Sequence, residues 1–188
     1  MDQKRRILVI AVCLAILCVV AYGLMRRFSI GPGSESRPAG VLRSVQTSRT
    51  DVYLYFSGKR GDYLVAEKRI MDMPKDPEQF GRTVIAALAK GPMAAGLVRT
   101  VPSGTACRAF YITGNKTAYV DLPSSIRDGY PGGSLCELLT VYSIVNSLVL
   151  NMDEVERVKI LIDGREAETL AGHVDLRFPL AADMRMVR

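Results

Sequence analysis

At 188 residues the chain has room for one ordinary domain and an appendage, and its 48% apolar content exceeds what such a domain needs because Ile7 to Met25 carries no charge. The formal charge of +6 is misleading: five Lys/Arg and one Asp fall within the first 27 residues, leaving 20 basic against 18 acidic residues in the rest. A near-neutral remainder with interspersed signs and no Trp excludes the clustered basic face of a nucleic-acid reader, so no nucleic-acid partner is expected.

In chain order, Lys4, Arg5 and Arg6 precede ILVIAVCLAILCVVAYGLM, and Arg26 and Arg27 follow. Nineteen uncharged residues make roughly 28 Å of helix, the thickness of a bilayer core. Residues 1–27 therefore read as an N-terminal transmembrane anchor. A cleaved signal has a shorter apolar region and a small-residue cleavage site, and neither is evident. Val12 before Cys13 and Leu17 before Cys18 disfavour a lipidated cysteine. The dense positive charge on the short leading tail favours keeping it in the cytoplasm, with a single pass and an extracytoplasmic C-terminal portion.

Residues 28–50 are rich in Gly, Ser and Pro without a sustained period and read as a flexible linker. The folded domain is placed at 51–180, with 181–188 a C-terminal tail. DVYLYFSG alternates Val52, Leu54 and Phe56 with Tyr53 and Tyr55, the period of a strand. Tyr63 to Asp72 is a second extended segment across a turn at Gly58 to Gly61. Asp76-Pro77-Glu78-Gln79 starts a helix, with Asp76 as cap and Pro77 in the first turn. Phe80, Val84, Ile85 and Leu88 form its apolar stripe, and Gly91-Pro92 ends it.

Arg108–Thr113 and Thr117–Leu122 flank Gly114-Asn115-Lys116 and read as a hairpin. Pro131-Gly132-Gly133-Ser134 leads into a second helix, Ser134 and Glu137 being spaced as a capping box. Its stripe is Leu138, Val141, Tyr142, Val145, Leu148 and Val149. Asn146 lies one position off that stripe and is expected to hydrogen-bond at the packing edge. Val158, Ile160 and Ile162 alternate into an Asp163-Gly164 turn, and Val174, Leu176 and Phe178 predict a short edge strand closed by Pro179. The order predicts an α/β, two-layer α+β fold: a small mixed sheet, mostly three-stranded, with two helices on one face and added edge strands.

VYLYF, AALAKGP, VPSGTACRAFYITGNKTAYVDL and LLTVYSIVNSLVLNMDEVERVKILIDGRE, in that order over Asp51 to Leu180, resemble the GerMN domain family of sporulation and spore-germination proteins. The most specific part is Val145-Asn146-Ser147-Leu148, then Val155-Glu156-Arg157-Val158, then Ile162-Asp163-Gly164; Ser147 stands where the family often has Thr. The resemblance implies an extracytoplasmic α/β domain like the ring-building modules of secretion and sporulation assemblies. It implies protein–protein association in the cell envelope, with an unknown envelope protein or a second copy, and no known catalysis. A spanning helix departs from the lipoprotein-like sporulation member, and a sporulation role does not follow.

Catalytic alternatives find little support in the residues. The carboxylates Asp121, Asp128 and Glu137, or Asp153, Glu154 and Glu156, are not placed as a pair by any motif. His173 is the single histidine and lacks a nucleophile motif, and no Cys/His/Asp spacing calls for a metal or cofactor. No enzyme is expected, the alternative being a cell-wall carbohydrate-binding or hydrolytic module. Two arrangements are open for Cys107 and Cys136: a disulfide on the exported side, or two separate buried thiols. Tyr53, Tyr55, Tyr111 and Tyr119 are candidate interface aromatics on a sheet face left uncovered by helices, against the plain reading that tyrosine suits strands.

Overall fold

The structure, a computed structural model, describes residues 48–128 and 132–188. The Ile7–Met25 run, the linker as far as residue 47, and Pro131 before the second helix lie outside the described residues. Among those described, no helix is long and apolar enough to cross a membrane.

The alternating segment forms β1 (Ser48–Gly58), which begins three residues before the expected start. It pairs antiparallel with β2 (Leu64–Met73), from Ser48 opposite Met73 to Ser57 opposite Leu64. The period of two sends Val52, Leu54 and Phe56 fully into the core. β3 (Leu97–Val98) pairs with the end of β1, giving a three-stranded sheet in the order β2-β1-β3. Two residues are too few to show a period, so β3 has no sequence signature.

α1 (Pro77–Lys90) starts as its sequence dictates: Asp76 accepts a hydrogen bond from Glu78 N–H at 3.0 Å with Pro77 in the first turn. Gly91, at φ 86°, ends it with its N–H on Leu88 O. Phe80, Val84, Ile85 and Leu88 are buried as predicted. α2 (Ser134–Val149) differs from prediction at its start, where Gly133 occupies the cap position and no side chain caps. Glu137 is not available for a capping box, since its carboxylate turns to a loop far along the chain.

β4 (Ala109–Ile112) and β5 (Thr117–Leu122) form the expected hairpin. β5 then pairs in parallel with β6 (Arg157–Ile162), α2 being the crossover between them. Asp163 (φ 50°) and Gly164 (φ 75°) make a two-residue turn that folds β7 (Arg165–Glu166) back on β6. The second sheet runs β4-β5-β6-β7, so the described residues form two sheets and two α-helices rather than one core sheet with added edges. The first hairpin stays separate because α2 side chains occupy the second edge of β1.

The predicted strand within Gly172–Leu180 does not form. Lys159 Nζ takes the carbonyls of Leu176 (3.1 Å) and Arg177 (2.5 Å), leaving only Leu180 to bridge Val158. Phe178, the last apolar residue of that alternation, is 68% exposed. Beyond Leu180 the chain packs onward: Val187 bridges Leu64 and Arg188 N–H donates to Leu64 O at 2.9 Å.

α2 is buried almost all round. Val141, Ile144, Val145 and Leu148 join the main core with β1, α1 and the second sheet. Leu139 joins a smaller cluster with Tyr55 and Leu64, packed by Tyr142, Met186 and Val187. The single-stripe expectation therefore missed Leu139 and Ile144, while Leu138, Tyr142 and Val149 are half-buried.

Candidate interaction surface

From Tyr53 to Tyr55 a helix, rather than a strand, closes the inner edge of β1, before β3 takes the edge over at Ser57 and Gly58. Ser143 and Ser147 lie one helical turn apart on α2, and Asn151 follows in the turn after it. Ser147 Oγ accepts Tyr55 N–H at 3.0 Å and Ser143 Oγ donates to Tyr55 O at 2.5 Å. Asn151 accepts Tyr53 N–H and donates to Tyr53 O, both at 2.8 Å. Thr140 donates to Thr100 O and the Thr100 and Ser143 hydroxyls meet at 2.6 Å, continuing the row to the chain beyond β3.

That arrangement fixes which β2 groups face outward. Tyr53 and Tyr55 aim their backbone at α2, so their register partners Lys68 and Ala66 aim theirs away from β1. Alternation adds Ile70 and Asp72. Arg188 covers this edge at Leu64, and among the described residues no strand pairs with it beyond that bridge. Ala66, Lys68, Ile70 and Asp72 are exposed, Ile70 at 71%. Their side chains share a face with Tyr53 (43% exposed) and two surface ion pairs, Lys68–Asp51 at 2.8 Å and Arg49–Asp72 at 3.4 Å.

The four candidate tyrosines do not form one surface. Tyr53 belongs to the exposed ribbon of the first sheet. Tyr55, in contrast, is buried in the smaller core, because its side chain lies under Leu139 where α2 hugs β1. Burial raises its phenol above the usual range, with a further push from Tyr53. Tyr111 and Tyr119 stand opposite each other on β4 and β5 with rings stacked at 4.9 Å and 7°.

The carboxylates disperse into structural roles. Glu137, fully buried, accepts N–H groups from Leu170 and Ala171 on one oxygen (2.9 Å each) and from His173 on the other (2.8 Å). His173 Nδ1 lies 3.1 Å from the same carboxylate. Burial pushes this carboxyl up, but the converging backbone N–H groups and His173 outweigh it and hold it below the usual range. Asp121 accepts Gly164 N–H at 2.7 Å and Arg108 Nε at 3.2 Å, fastening β5 to the turn after β6. Asp153, Glu154 and Glu156 are exposed. Among the described residues no group of acidic, His and Cys side chains could hold a metal.

Two charged residues escaped sequence reading. Glu67, buried on β2, accepts Met93 and Ala94 N–H (2.8 and 2.7 Å) and pairs with Arg69, whose guanidinium reaches Gly91 O at 2.7 Å and lies over the Phe56 ring. Burial raises the Glu67 carboxyl, yet these bonds bring it below its ordinary value. Its i,i+2 spacing from Arg69 on a strand was the available signal.

Cys107 and Cys136 stand as free thiols, not as a disulfide. Cys107 Sγ donates to Ala109 O at 3.2 Å, and burial pushes its thiol up to about 11. Cys136 lines a cleft of about 640 Å³ with Arg99, Ser103, Thr105, Asp128 and Thr140. The cleft gathers small polar groups but no paired carboxylates.

The sequence profile of a family described as "Germane: Sporulation and spore germination" matches residues 40–168, well over half of the chain. The chain belongs to the Germane family. Solved structures agree with the Germane fold. The tandem GerMN domains of the sporulation protein GerM from Bacillus subtilis match at TM-score 0.55 and 20% identity, over 72% of this chain and 46% of that one. This chain thus spans under half of the tandem structure. The first GerMN domain of the same protein matches at TM-score 0.55 and 22% identity, over 71% and 96% of the two chains. A structure titled as a putative lipoprotein from Clostridium perfringens matches at TM-score 0.51 and 23% identity, over 71% and 88%. At these identities the Germane likeness is one of fold. No match is found among curated protein sequences.

Proposed function

We propose that this chain is a membrane-tethered, extracytoplasmic association module of the cell envelope, and that it acts without catalysis. The observation that carries the proposal is the outer edge of β2: outward-aimed backbone groups from Ala66 to Asp72, beside exposed Ile70 and Tyr53. Such an edge binds by adding a strand, with backbone hydrogen bonds supplying affinity and flanking side chains selecting the partner. The anchor read at Ile7–Met25 holds the domain near the membrane and raises its effective concentration there. The Germane membership and a fold shared with the structure titled as a putative lipoprotein are consistent with that setting.

The test is site-specific photocrosslinking from Tyr53 and Ile70 in intact membranes, with wall-polymer binding measured in parallel. Crosslinks to a defined protein, absent when the probe sits at Tyr111, support association. Saturable polymer binding lost on Tyr111→Ala, with no protein crosslink, would establish the carbohydrate-binding alternative instead.

A further inference from the structure

We infer that the β2 edge pairs with the β2 edge of a second copy of this chain, joining two three-stranded sheets into one across a two-fold axis at Ile70. This rests on the association reading and names the partner.

The register carries the inference. Only even-numbered residues of β2 aim backbone groups outward, so a self-pairing must set even against even to form hydrogen-bonded pairs. With Ile70 opposite Ile70 of the partner subunit, Lys68 falls opposite Asp72 of the partner subunit, and Asp72 opposite Lys68 of the partner subunit. Both charged pairs are complementary, and the apolar residue sits on the axis. Shifting the axis to Lys68, Arg69 or Asp72 would set lysine, arginine or aspartate against itself, and an axis at Met71 would set Lys68 against Pro74, which has no N–H to donate; each is penalised. About six backbone hydrogen bonds form in the favoured register. An edge lysine normally discourages strand addition, and here it becomes the device that admits one register and rejects others. The three side chains at the contact are exposed, and among the described residues the only pairs they must share or exchange are the surface ion pairs Lys68–Asp51 and Arg49–Asp72, each worth little in water.

The test uses the full-length chain in lipid vesicles. In hydrogen-bonded antiparallel pairs the facing Cα atoms are about 5.5 Å apart, within disulfide reach. Oxidised Ile70→Cys chains are expected to give a linked dimer, whereas the unsubstituted chain and Arg60→Cys, in the β1–β2 turn, do not. Adding Lys68→Asp or Asp72→Lys to Ile70→Cys lowers the yield about tenfold, because each creates like charges across the axis. Mixing those two variants restores the yield, since each copy then faces opposite charge. Equal crosslinking from Arg60→Cys and Ile70→Cys, or indifference to the charge changes, would overturn the inference. A β2 crosslink to another protein with no linked dimer of the Ile70→Cys chain also overturns it, while leaving the association reading intact.

Discussion

Asn151 pairs with Tyr53 as a neighbouring strand would, taking its N–H and giving to its C=O, both at 2.8 Å. The same amide also donates to Ser147 O at 2.8 Å, so the turn after α2 is held to the helix and to β1 at once. One side chain thereby ends a sheet and fixes the helix-to-strand junction at Asn151-Met152-Asp153-Glu154. Asn151→Ala strands those groups at a half-exposed site and is expected to cost about 1–2 kcal/mol, seen as a lower midpoint in urea unfolding. An unchanged midpoint would show that water replaces the amide freely.

Asn146 makes the equivalent clamp deeper in the molecule, accepting Asp183 N–H at 2.9 Å and donating to Asp183 O at 3.1 Å. It holds the C-terminal segment that ends on Leu64. Asn146→Leu removes both bonds at a fully buried position. We expect about 2–3 kcal/mol of destabilisation and faster amide exchange from Asp183 to Arg188. Protection retained there would mean that the Val187–Leu64 bridge alone secures the tail.

Gly81 lies inside α1 where Phe110 of β4 crosses it. A Cβ built there would press into the Phe110 ring, closer than any packed pair tolerates. The better helix propensity of alanine therefore loses to overpacking. Gly81→Ala should destabilise by about 2 kcal/mol, and combining it with Phe110→Leu should recover part of the loss in a double-mutant cycle.

Glu137 predicts the acid limit. Its carboxyl is held below the usual value in the folded state, so the unfolded chain binds a proton first as pH falls. The stabilisation is complete above the unfolded value of about 4.3 and is lost as pH drops through the folded value. Glu67, shifted the same way, adds to the effect. Glu137→Gln places an NH2 against a backbone N–H whichever way it turns. It should cost about 3 kcal/mol at neutral pH and flatten stability against pH below about 4.3. A variant with the parent's acid profile would assign the acid limit elsewhere.

Lys116 adopts φ 58° in the β4–β5 turn, a conformation glycine takes without strain. Its ion pair with Glu156 is surface-exposed and contributes little. Lys116→Gly is expected to leave stability unchanged or raise it by up to about 1 kcal/mol in thermal unfolding. A clear loss would reveal that the Lys116 side chain packs more than its exposure indicates.

Local rules were enough for the elements with strong periodicity or capping. Asp76-Pro77 and Gly91 bounded α1, the Asp163-Gly164 turn was visible, and Val52-Leu54-Phe56 declared a strand, because each depends on neighbours within a few residues. The assignments that failed depended on distant partners. Glu137 resembled a capping residue until the Leu170–His173 loop arrived to claim it, and Val174-Leu176-Phe178 alternated like a strand while Lys159 took its carbonyls. Tyr55 was indistinguishable from Tyr53 by period, yet Leu139 covers one and solvent meets the other.

By itself the sequence determined the Germane domain: its order of motifs, its hairpins and its capped first helix, all written in spacing and side-chain type. Only the tertiary structure decided that the Ser143-Ser147-Asn151 row would close β1 and thereby split the strands into two sheets. Among the described residues, that choice left β2 as the outer strand, with no strand paired to it beyond the Leu64 bridge. Its cause is physical: a hydroxyl or amide satisfies a sheet's backbone as well as a strand does, and which one arrives depends on how the helix packs.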